Sequence, residues 1–342
     1  MSDYFYYFIF LSLSILVSFY LNGYVFRMFS SSKMLDPVNE RSSHKTQATR
    51  SGGLALFLTI CICYALASSV GILKVPYGPV AIGVTLMALL GFVDDLFSIR
   101  YREKFFLQLF AGLIIVQGGW SIDSFHGVFG VFEIPEWFGF LISMFVFIVV
   151  INALNLIDGL DGLASLVSIK FFLIVGGLLL VSEREMFLFF PIIIGALIGF
   201  LGHNFNASKK VFLGDTGSLL LGSIIAFFIL FVLDSSNSII TDPYISRPLL
   251  MVLALFYPLL DTLRAVVLRS FKGQSPFVAD RIHLHHRLVD KGYEHWAATI
   301  LILCLSVFFL IINFILYAKI GLTLCVLTTV VLCLILYKFL FK

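Results

Sequence analysis

The chain has 342 residues, of which 60% are hydrophobic and only 13% are charged, and its mean hydropathy is +1.04. Soluble domains carry about 25% charged and 45–50% apolar residues, so this composition excludes a typical soluble enzyme. It predicts an all-α polytopic integral membrane protein, and the net charge of +3 gives no reason to expect a nucleic-acid partner.

Long uncharged runs predict about eleven transmembrane helices. They cover residues 4–26, 52–72, 79–93, 105–120, 137–154, 163–181, 187–202, 217–233, 248–268, 297–318 and 320–341. The first run lacks the basic flank and the cleavage site of a signal peptide, so it is expected to be a retained span. All five cysteines lie in these runs and are expected to be small apolar side chains rather than disulfide partners. We expect residues 1–342 to form one membrane domain.

The basic residues are distributed unevenly between the predicted loops. Eighteen of the 23 Lys and Arg fall in the tail and in alternate loops that start with 27–51, whereas the opposite loops hold four. Since cytoplasmic loops collect Lys and Arg, this bias predicts a periplasmic N-terminus and a cytoplasmic C-terminus. Most of the distinctive polar motifs fall on the same side, so an active-site cleft is expected on the cytoplasmic face.

Aspartates stand beside glycines at the cytoplasmic ends of the predicted helices. They occur in GFVDDL (91–96), NLIDGLDG (155–162) and FLGDTGS (212–218), and are Asp94, Asp95, Asp158, Asp161 and Asp215. Any one of them alone could be a solvated helix end, but five on one membrane face favour a functional site. The glycines of NLIDGLDG also predict that the helix breaks there.

Clustered carboxylates repel one another unless a cation lies among them. Mg²⁺ prefers oxygen ligands and often joins one or two carboxylates to substrate phosphates, so the cluster predicts Mg²⁺, with Mn²⁺ as an alternative. Asp215 is the best candidate ligand. The other interpretation is that Asp215 only caps the helix that follows it.

Three histidines and two arginines occur in DRIHLHHRL (280–288). Structural zinc sites draw their ligands from two separated pairs, which this segment lacks. The segment instead suits an anionic, hydroxyl-rich ligand, or else a basic loop at lipid headgroups. Acidic residues that suit a metal ion, together with basic residues that suit phosphate, indicate a nucleotide diphosphate substrate and phosphoryl transfer.

Five motifs in this order resemble the polyprenyl-phosphate N-acetylhexosamine-1-phosphate transferase family, also called the glycosyltransferase 4 family. They are NERSSHKTQATRSGG (39–53), GFVDDL (91–96), NALNLIDGLDGLAS (152–165), VFLGDTGSLLLG (211–222) and HLHHRL (283–288), within a core of about residues 36–293. The resemblance implies a Mg²⁺-dependent enzyme of the bacterial inner membrane. Such an enzyme transfers N-acetylhexosamine-1-phosphate from a UDP-sugar to polyprenyl (undecaprenyl) phosphate and releases UMP.

That reaction is the first membrane step in the synthesis of cell-surface polysaccharides such as O-antigen and cell-wall polymers. The sugar would be N-acetylglucosamine or a related N-acetylhexosamine, and the motifs leave this choice open. The resemblance is also compatible with a homodimer.

The resemblance implies roles for individual residues. The catalytic residues would be Asp94, which would either deprotonate or position the lipid phosphate, together with Asp95, Asp158 and Asp161. The metal ligands would be Asp215, Asn155 and Asp95. Phe212 would stack on uracil and Asp161 would bind the nucleoside, with Asp158 supporting the same pocket. The other substrate contacts would come from Lys45, Lys104, Asn204 (or Asn206), Arg281, His283, His285, His286 and Arg287.

Two other classes of protein use acidic groups in membranes. An intramembrane prenyltransferase binds Mg²⁺ through Asp-rich motifs, but its aspartates are spaced differently and it would have no use for HLHH. An ion-coupled transporter would carry its carboxylates in mid-span, often in two repeated halves. Here the carboxylates lie at span ends, so the sequence favours the transferase.

Overall fold

The computed structural model describes residues 2–32, 48–73, 78–182, 184–206, 209–237, 246–273 and 283–340. The predicted site residues Lys45 and Arg281 lie outside this part of the chain. Its helices are α1 (Ser2–Ser31), α2 (Gly52–Ser69), α3 (Gly78–Phe97), α4 (Tyr101–Gln117), α5 (Glu136–Leu156), α6 (Leu163–Ser182), α7 (Arg184–Phe187), α8 (Phe189–Asn204), α9 (Gly214–Leu233), α10 (Arg247–Ala254), α11 (Phe256–Phe271), α12 (Leu284–Asp290) and α13 (His295–Leu340). The helical architecture agrees with the sequence prediction.

Among the described residues, seven helices are long and apolar enough to cross a membrane. The number is eight if α10 and α11, which are bent by 78° relative to each other, form one broken span. The protein is therefore a multi-pass membrane protein, and the count of eleven stays a prediction. The predicted spans at 105–120 and 187–202 correspond to α4 and α8, which have only 17 and 16 residues. The five cysteines are free, as expected.

Helix α13 folds back on itself at Gly321, whose φ of 71° and ψ of 176° are not helical. The side-chain oxygen of Asn313 accepts hydrogen bonds from Cys325 Sγ at 2.9 Å and from Thr329 Oγ1 at 2.6 Å. In a continuous helix the 16 residues from Asn313 to Thr329 would span about 24 Å. The element is therefore a helical hairpin, and the predicted spans 297–318 and 320–341 are its two arms.

Helix α9 lies at the centre of the bundle, with every residue from Thr216 to Leu233 buried. Helices α2, α3 and α5 pack directly against it. Glycines allow the closest approaches: a Cβ at Gly53 would lie 2.1 Å from the Gly217 nitrogen, and one at Gly91 would lie 2.3 Å from the Asp215 carbonyl oxygen. These contacts bring the polar ends of α2 and α3 to the first turn of α9.

Two small sheets, which the sequence did not predict, occur in the described ranges. Strand β2 (Ser124–Val128) pairs antiparallel with β3 (Val131–Glu133) between α4 and α5, and β1 (Ala48–Thr49) pairs parallel with β4 (Lys210–Val211). Beyond β1, the Gly52 amide donates to the Phe212 carbonyl at 3.0 Å. The loop before α2 is thereby fastened to the loop before α9.

Candidate active site

Lys104 joins two aspartates that come from different helices. Its Nζ donates to Asp94 Oδ2 at 2.7 Å and to Asp215 Oδ2 at 2.6 Å. Asp94 lies in the last turn of α3, Lys104 in the first turn of α4 and Asp215 in the first turn of α9. Three residues that the sequence placed in one site are thus brought together. The single ammonium of Lys104 lies between the two carboxylates.

The second oxygen of Asp215 is held by Asn155 from the end of α5. Asn155 Nδ2 donates to Asp215 Oδ1 at 2.7 Å and to Ser218 Oγ at 2.8 Å. The N-cap residue of α9 is Leu213, and Asp215 is the second residue of the helix. The alternative interpretation of Asp215 as a simple cap is therefore wrong, and its carboxylate faces the residues predicted to share the site.

The cap of α9 comes instead from Asp95 of α3. Asp95 Oδ1 accepts from the Asp215 amide at 2.9 Å, and Oδ2 accepts from the amide and hydroxyl of Thr216 at 2.9 and 2.7 Å. The first N–H groups of a helix lack internal partners, and a negative charge there is favourable. Asp95 therefore holds the backbone that carries Asp215. Its predicted catalytic and metal-binding roles stay predictions.

The polypeptide between α5 and α6 forms a turn at residues 157–162. Helix α5 ends at Leu156 and α6 begins at Leu163, which confirms the predicted break in NLIDGLDG. Gly162 has a φ of 71°, a value that L side chains rarely adopt, so the turn requires glycine at this position. The turn places its two aspartates in different surroundings.

Asp158 is half-buried and faces the acidic group around Asp215. Burial raises the pKa of its carboxyl well above the usual range, and the negative charges of Asp215 and Asp95 raise it further. A hydrogen bond from the Gly214 backbone opposes this shift in pKa. The predicted catalytic residues Asp94, Asp95 and Asp158 therefore lie in one electrostatically coupled group.

Asp161 forms a second cluster with Lys210 and His295. Lys210 Nζ lies 2.6 Å from Asp161 Oδ2, and His295 Nδ1 lies 3.5 Å from the same oxygen. Burial alone would raise the pKa of Asp161, but the hydrogen bonds and charges of His295 and Lys210 lower it overall. Lys210 Nζ also lies 5.8 Å from the centre of the Phe212 ring. The two residues predicted to bind the nucleoside thus share Lys210.

Sequence reasoning missed both Lys210 and His295. Lys210 stands directly before VFLGD, and this position is a usable signal because β4 leads straight into the motif. His295 is the first residue of α13, seven residues beyond HLHHRL and in no motif, and only the tertiary fold brings it to Asp161.

The histidine motif forms a third cluster. His283 is the N-cap residue of α12, and its Nδ1 lies 2.8 Å from Asp261 Oδ2 on α11. His285 is fully buried, with its Nδ1 3.0 Å from the Tyr257 hydroxyl. Burial, together with the neighbouring His286, lowers the pKa of His285 to about 3. Asp261 and Tyr257 were not among the predicted site residues.

The turn at 157–162 is in contact with this third cluster. A Cβ at Gly159 would lie 2.9 Å from His285 Nε2 and 3.3 Å from His286 Cε1. Arg287 lies on the same helix, α12, and is half-buried. One short turn therefore faces the acidic group through Asp158, the Lys210 cluster through Asp161 and the histidines through Gly159.

Asn204 lies in the protein interior rather than at the surface of the candidate site. It is buried with 4% exposure, and its Nδ2 donates to the Val211 carbonyl at 2.9 Å. It thus supports the strand that precedes Phe212. The alternative residue, Asn206, is exposed and accepts from the Lys209 amide at 3.1 Å. A direct substrate contact by Asn204 stays a prediction.

The acidic group around Asp215 is the candidate site for the predicted Mg²⁺. In the described part of the chain, no group of three or more His, Cys, Asp or Glu side chains is arranged to hold a metal ion. Asp94 and Asp215 nevertheless lie on either side of one ammonium, beside the Asn155 amide. Mg²⁺ commonly takes one or two carboxylates and completes its shell with water and substrate phosphates. These residues suit a cation that is also bound by a diphosphate better than a cation that is bound by protein ligands alone.

Comparison with known proteins agrees with this arrangement. A family model described as glycosyl transferase family 4 matches residues 78–233. The decaprenyl-phosphate N-acetylglucosaminephosphotransferase of Mycobacterium tuberculosis (strain ATCC 25618 / H37Rv) is 31% identical over 315 residues, which cover 84% of this chain and 76% of the relative. The chain belongs to glycosyl transferase family 4. The resemblance predicted from the five motifs is confirmed.

Two further relatives extend the comparison. The probable undecaprenyl-phosphate N-acetylglucosaminyl 1-phosphate transferase of Bacillus subtilis (strain 168) is 29% identical and covers 80% of this chain and 75% of itself. The undecaprenyl-phosphate alpha-N-acetylglucosaminyl 1-phosphate transferase of Escherichia coli (strain K12) is 26% identical, with 79% and 72% covered. The family match at 78–233 includes the acidic group and Asp161 but not the histidine cluster.

Proposed function

We propose that this protein transfers N-acetylhexosamine-1-phosphate from a UDP-sugar to polyprenyl phosphate, with N-acetylglucosamine as the first candidate sugar. The observation that carries the proposal is the bridge from Lys104 to Asp94 and Asp215, in which a cation and two acids from three helices meet in one site. The names of the relatives support the same substrates. Family membership also disfavours the prenyltransferase and the ion-coupled transporter.

In the proposed reaction, an oxygen of polyprenyl phosphate attacks the β-phosphorus of the UDP-sugar. The bond from that phosphorus to the oxygen bridging the two phosphates breaks, and UMP leaves with the bridging oxygen. Phosphate monoesters have a second pKa near 6, so the lipid phosphate is mostly dianionic at neutral pH and needs no obligate base. Asp94 already accepts from the Ile99 amide at 2.6 Å and from Lys104, so we assign it a positioning role.

Phosphoryl transfer depends mainly on alignment and on neutralising negative charge. Lys104 supplies a fixed positive charge in the acidic group and donates to phosphate oxygens when they approach. Asp215, with Asn155 beside it, would hold Mg²⁺, which supplies charge neutralisation at the leaving phosphate when it is bound. Asp95 keeps Asp215 in place through its contacts with the first turn of α9.

The second and third clusters suit the two ends of the donor substrate. Phe212 offers an aromatic face for uracil, while Asp161 and Lys210 offer an acceptor and a donor beside it. The histidines and Arg287 offer nitrogen donors for the sugar and the diphosphate. The turn at 157–162 touches both clusters, so the nucleoside and the sugar would lie on either side of it.

The site would open to the cytoplasm of a bacterium, and the protein would lie in its inner membrane at the first membrane step of cell-surface polysaccharide synthesis. UDP-sugars are cytosolic, and the loops that carry the site hold most of the basic residues. A homodimer stays a prediction.

The test is a reconstituted reaction. Purified protein with Mg²⁺, undecaprenyl phosphate and UDP-N-acetylglucosamine should release UMP, and a panel of UDP-N-acetylhexosamines identifies the preferred sugar. Release of UDP, or no nucleotide from any member of the panel, contradicts the proposal.

Asp215→Asn should abolish metal-dependent turnover while the protein still inserts and folds. Asp234→Asn, which changes the C-cap residue at the other end of α9, is the matched control and should leave turnover intact. Full activity of Asp215→Asn would remove the metal assignment.

A further inference from the structure

Asp261 is a buried carboxylate that no predicted role explains. It lies on α11 with no exposed surface. It accepts from His283 Nδ1 at 2.8 Å and from the Leu284 amide at 2.9 Å, and Arg264 Nη1 lies 3.9 Å away. A buried charge is costly unless it is paired and hydrogen-bonded, and here both oxygens are used. Both of these hydrogen bonds go to the start of the histidine motif.

This geometry fixes which nitrogen of His283 carries a proton. An ionised carboxylate can only accept hydrogen bonds, so Nδ1 of His283 must be protonated whether the ring is neutral or charged. The ring nitrogen left to act on a ligand is Nε2. Because Asp261 also holds the Leu284 amide, it sets both the ring and the backbone at the first residue of α12.

His285 is held in the same network. Its Nδ1 lies 3.0 Å from the Tyr257 hydroxyl and 3.8 Å from Asp261 Oδ2. Its Nε2 is buried against Gly159, and no described residue forms a hydrogen bond with it. A buried polar atom without a partner is unfavourable, and a ligand atom that entered beside the turn would relieve this.

We propose that Asp261 is a positioning residue, which together with Tyr257 orients His283 and His285 so that their Nε2 atoms face the sugar-diphosphate of the donor substrate. The proposal rests on the proposed function, because it assumes that these histidines bind a UDP-sugar. Asp261 itself acts only through the two rings and the backbone between them.

Asp261→Asn tests the proposal. An asparagine can offer its single oxygen to His283 or to Leu284 but not to both, so one contact is lost with little change of shape. We expect the KM for UDP-N-acetylglucosamine to rise about 10-fold, as for the loss of a hydrogen bond to a charged group, while kcat and the KM for undecaprenyl phosphate stay near wild-type values. Asp234→Asn, another buried aspartate outside the site, is the control and should change neither KM.

A purely structural role gives a different result. In that case Asp261→Asn lowers the unfolding temperature and the active fraction, kcat falls for both substrates and neither KM changes, which would overturn the proposal. Tyr257→Phe, which keeps the ring and removes the hydroxyl, should raise the same KM by a smaller factor. An unchanged KM in both variants also overturns it.

A measurement on the wild-type protein covers the case in which Asp261→Asn does not fold. The ¹⁵N chemical shifts of labelled histidines report the tautomer, and His283→Asn identifies the His283 signals among the seven histidines. We expect a proton on Nδ1 of His283, whereas a bare Nδ1 would overturn the proposal. This readout does not depend on turnover, so a failure of the proposed function is distinguished from a failure of the positioning role.

Discussion

Thr216 donates two hydrogen bonds to one oxygen of Asp95, from its backbone amide at 2.9 Å and from its hydroxyl at 2.7 Å. This pair ties the last turn of α3 to the first turn of α9, and the adjacent residues in each helix are Asp94 and Asp215. The spacing of the two proposed functional acids is therefore set by a contact between their sequence neighbours.

Thr216→Val should weaken that tie. It keeps the shape of the side chain and removes one hydrogen bond to a charged group, which contributes about 1.5–3 kcal/mol. We expect a lower unfolding temperature in detergent and a reduced rate of UMP release. Ser223→Ala on the same helix is the control, because among the described residues its hydroxyl donates only to the Leu220 carbonyl. Equal unfolding temperatures for Thr216→Val and the wild type would show that the tie has no energetic role.

Lys104→Met should nearly abolish activity. The change removes the positive charge between Asp94 and Asp215, so only the metal would offset the repulsion between their carboxylates. The loss of a preorganised charge contact costs about 10²–10³-fold in rate. The measurement is kcat at saturating Mg²⁺. The exposed Lys209 serves for comparison, and Lys209→Met should keep most of the activity. Similar rates in the two variants would refute the role given to Lys104.

Asp161 and Lys210 should behave as one unit. In a double-mutant cycle, Asp161→Asn and Lys210→Met should each raise the KM for the UDP-sugar by about 10-fold, because each breaks the half-buried 2.6 Å ion pair. The double variant should be no worse than either single one, since the two changes share one interaction. The KM for undecaprenyl phosphate should not change. Strictly additive effects would mean that the pair does not act together.

Acid should destabilise the protein through His285. The folded-state pKa of His285 is lowered to about 3 by burial, whereas an unfolded histidine titrates near 6.5. Between these values the unfolded chain binds a proton that the folded chain does not. The contribution to stability is therefore complete above pH 6.5 and falls by up to about 1.4 kcal/mol for each pH unit below it.

The measurement is the unfolding temperature in detergent from pH 7 to pH 4.5. The wild type should lose more stability across this range than His285→Asn, which has no imidazole to charge. His126→Asn changes a histidine of the β2 strand and should follow the wild type. Parallel curves for the wild type and His285→Asn would show that His285 does not carry the effect.

Much of the site could be predicted because its residues stand in short motifs at helix ends. Apolar runs fix where helices begin and end, so Asp94, Asn155 and Asp215 could be placed at neighbouring ends on one membrane face. The glycines of NLIDGLDG predicted that the helix breaks at residues 157–162. The sequence could not separate the roles of Asp94 and Asp95, because adjacent residues on a helix point in different directions and only the packing shows which one meets α9.

Other parts of the site depend on contacts between distant segments. Asp261 stands in an apolar run with no glycine beside it, and its partner His283 comes 22 residues later, at the N-cap of another helix. Strands β1 and β4 are two residues long, too short for any periodic signal. Tertiary contacts decided each of these cases.

The pairing of Ala48 with Lys210 has a consequence for how the protein is made. The two residues are 162 positions apart, so at about 5–20 residues per second a ribosome needs roughly 10–30 s to reach the second after the first. During that interval strand β1 has no partner strand. The candidate active site is therefore complete only after α9 has entered the bilayer. Nascent chains halted before that point should bind no nucleotide.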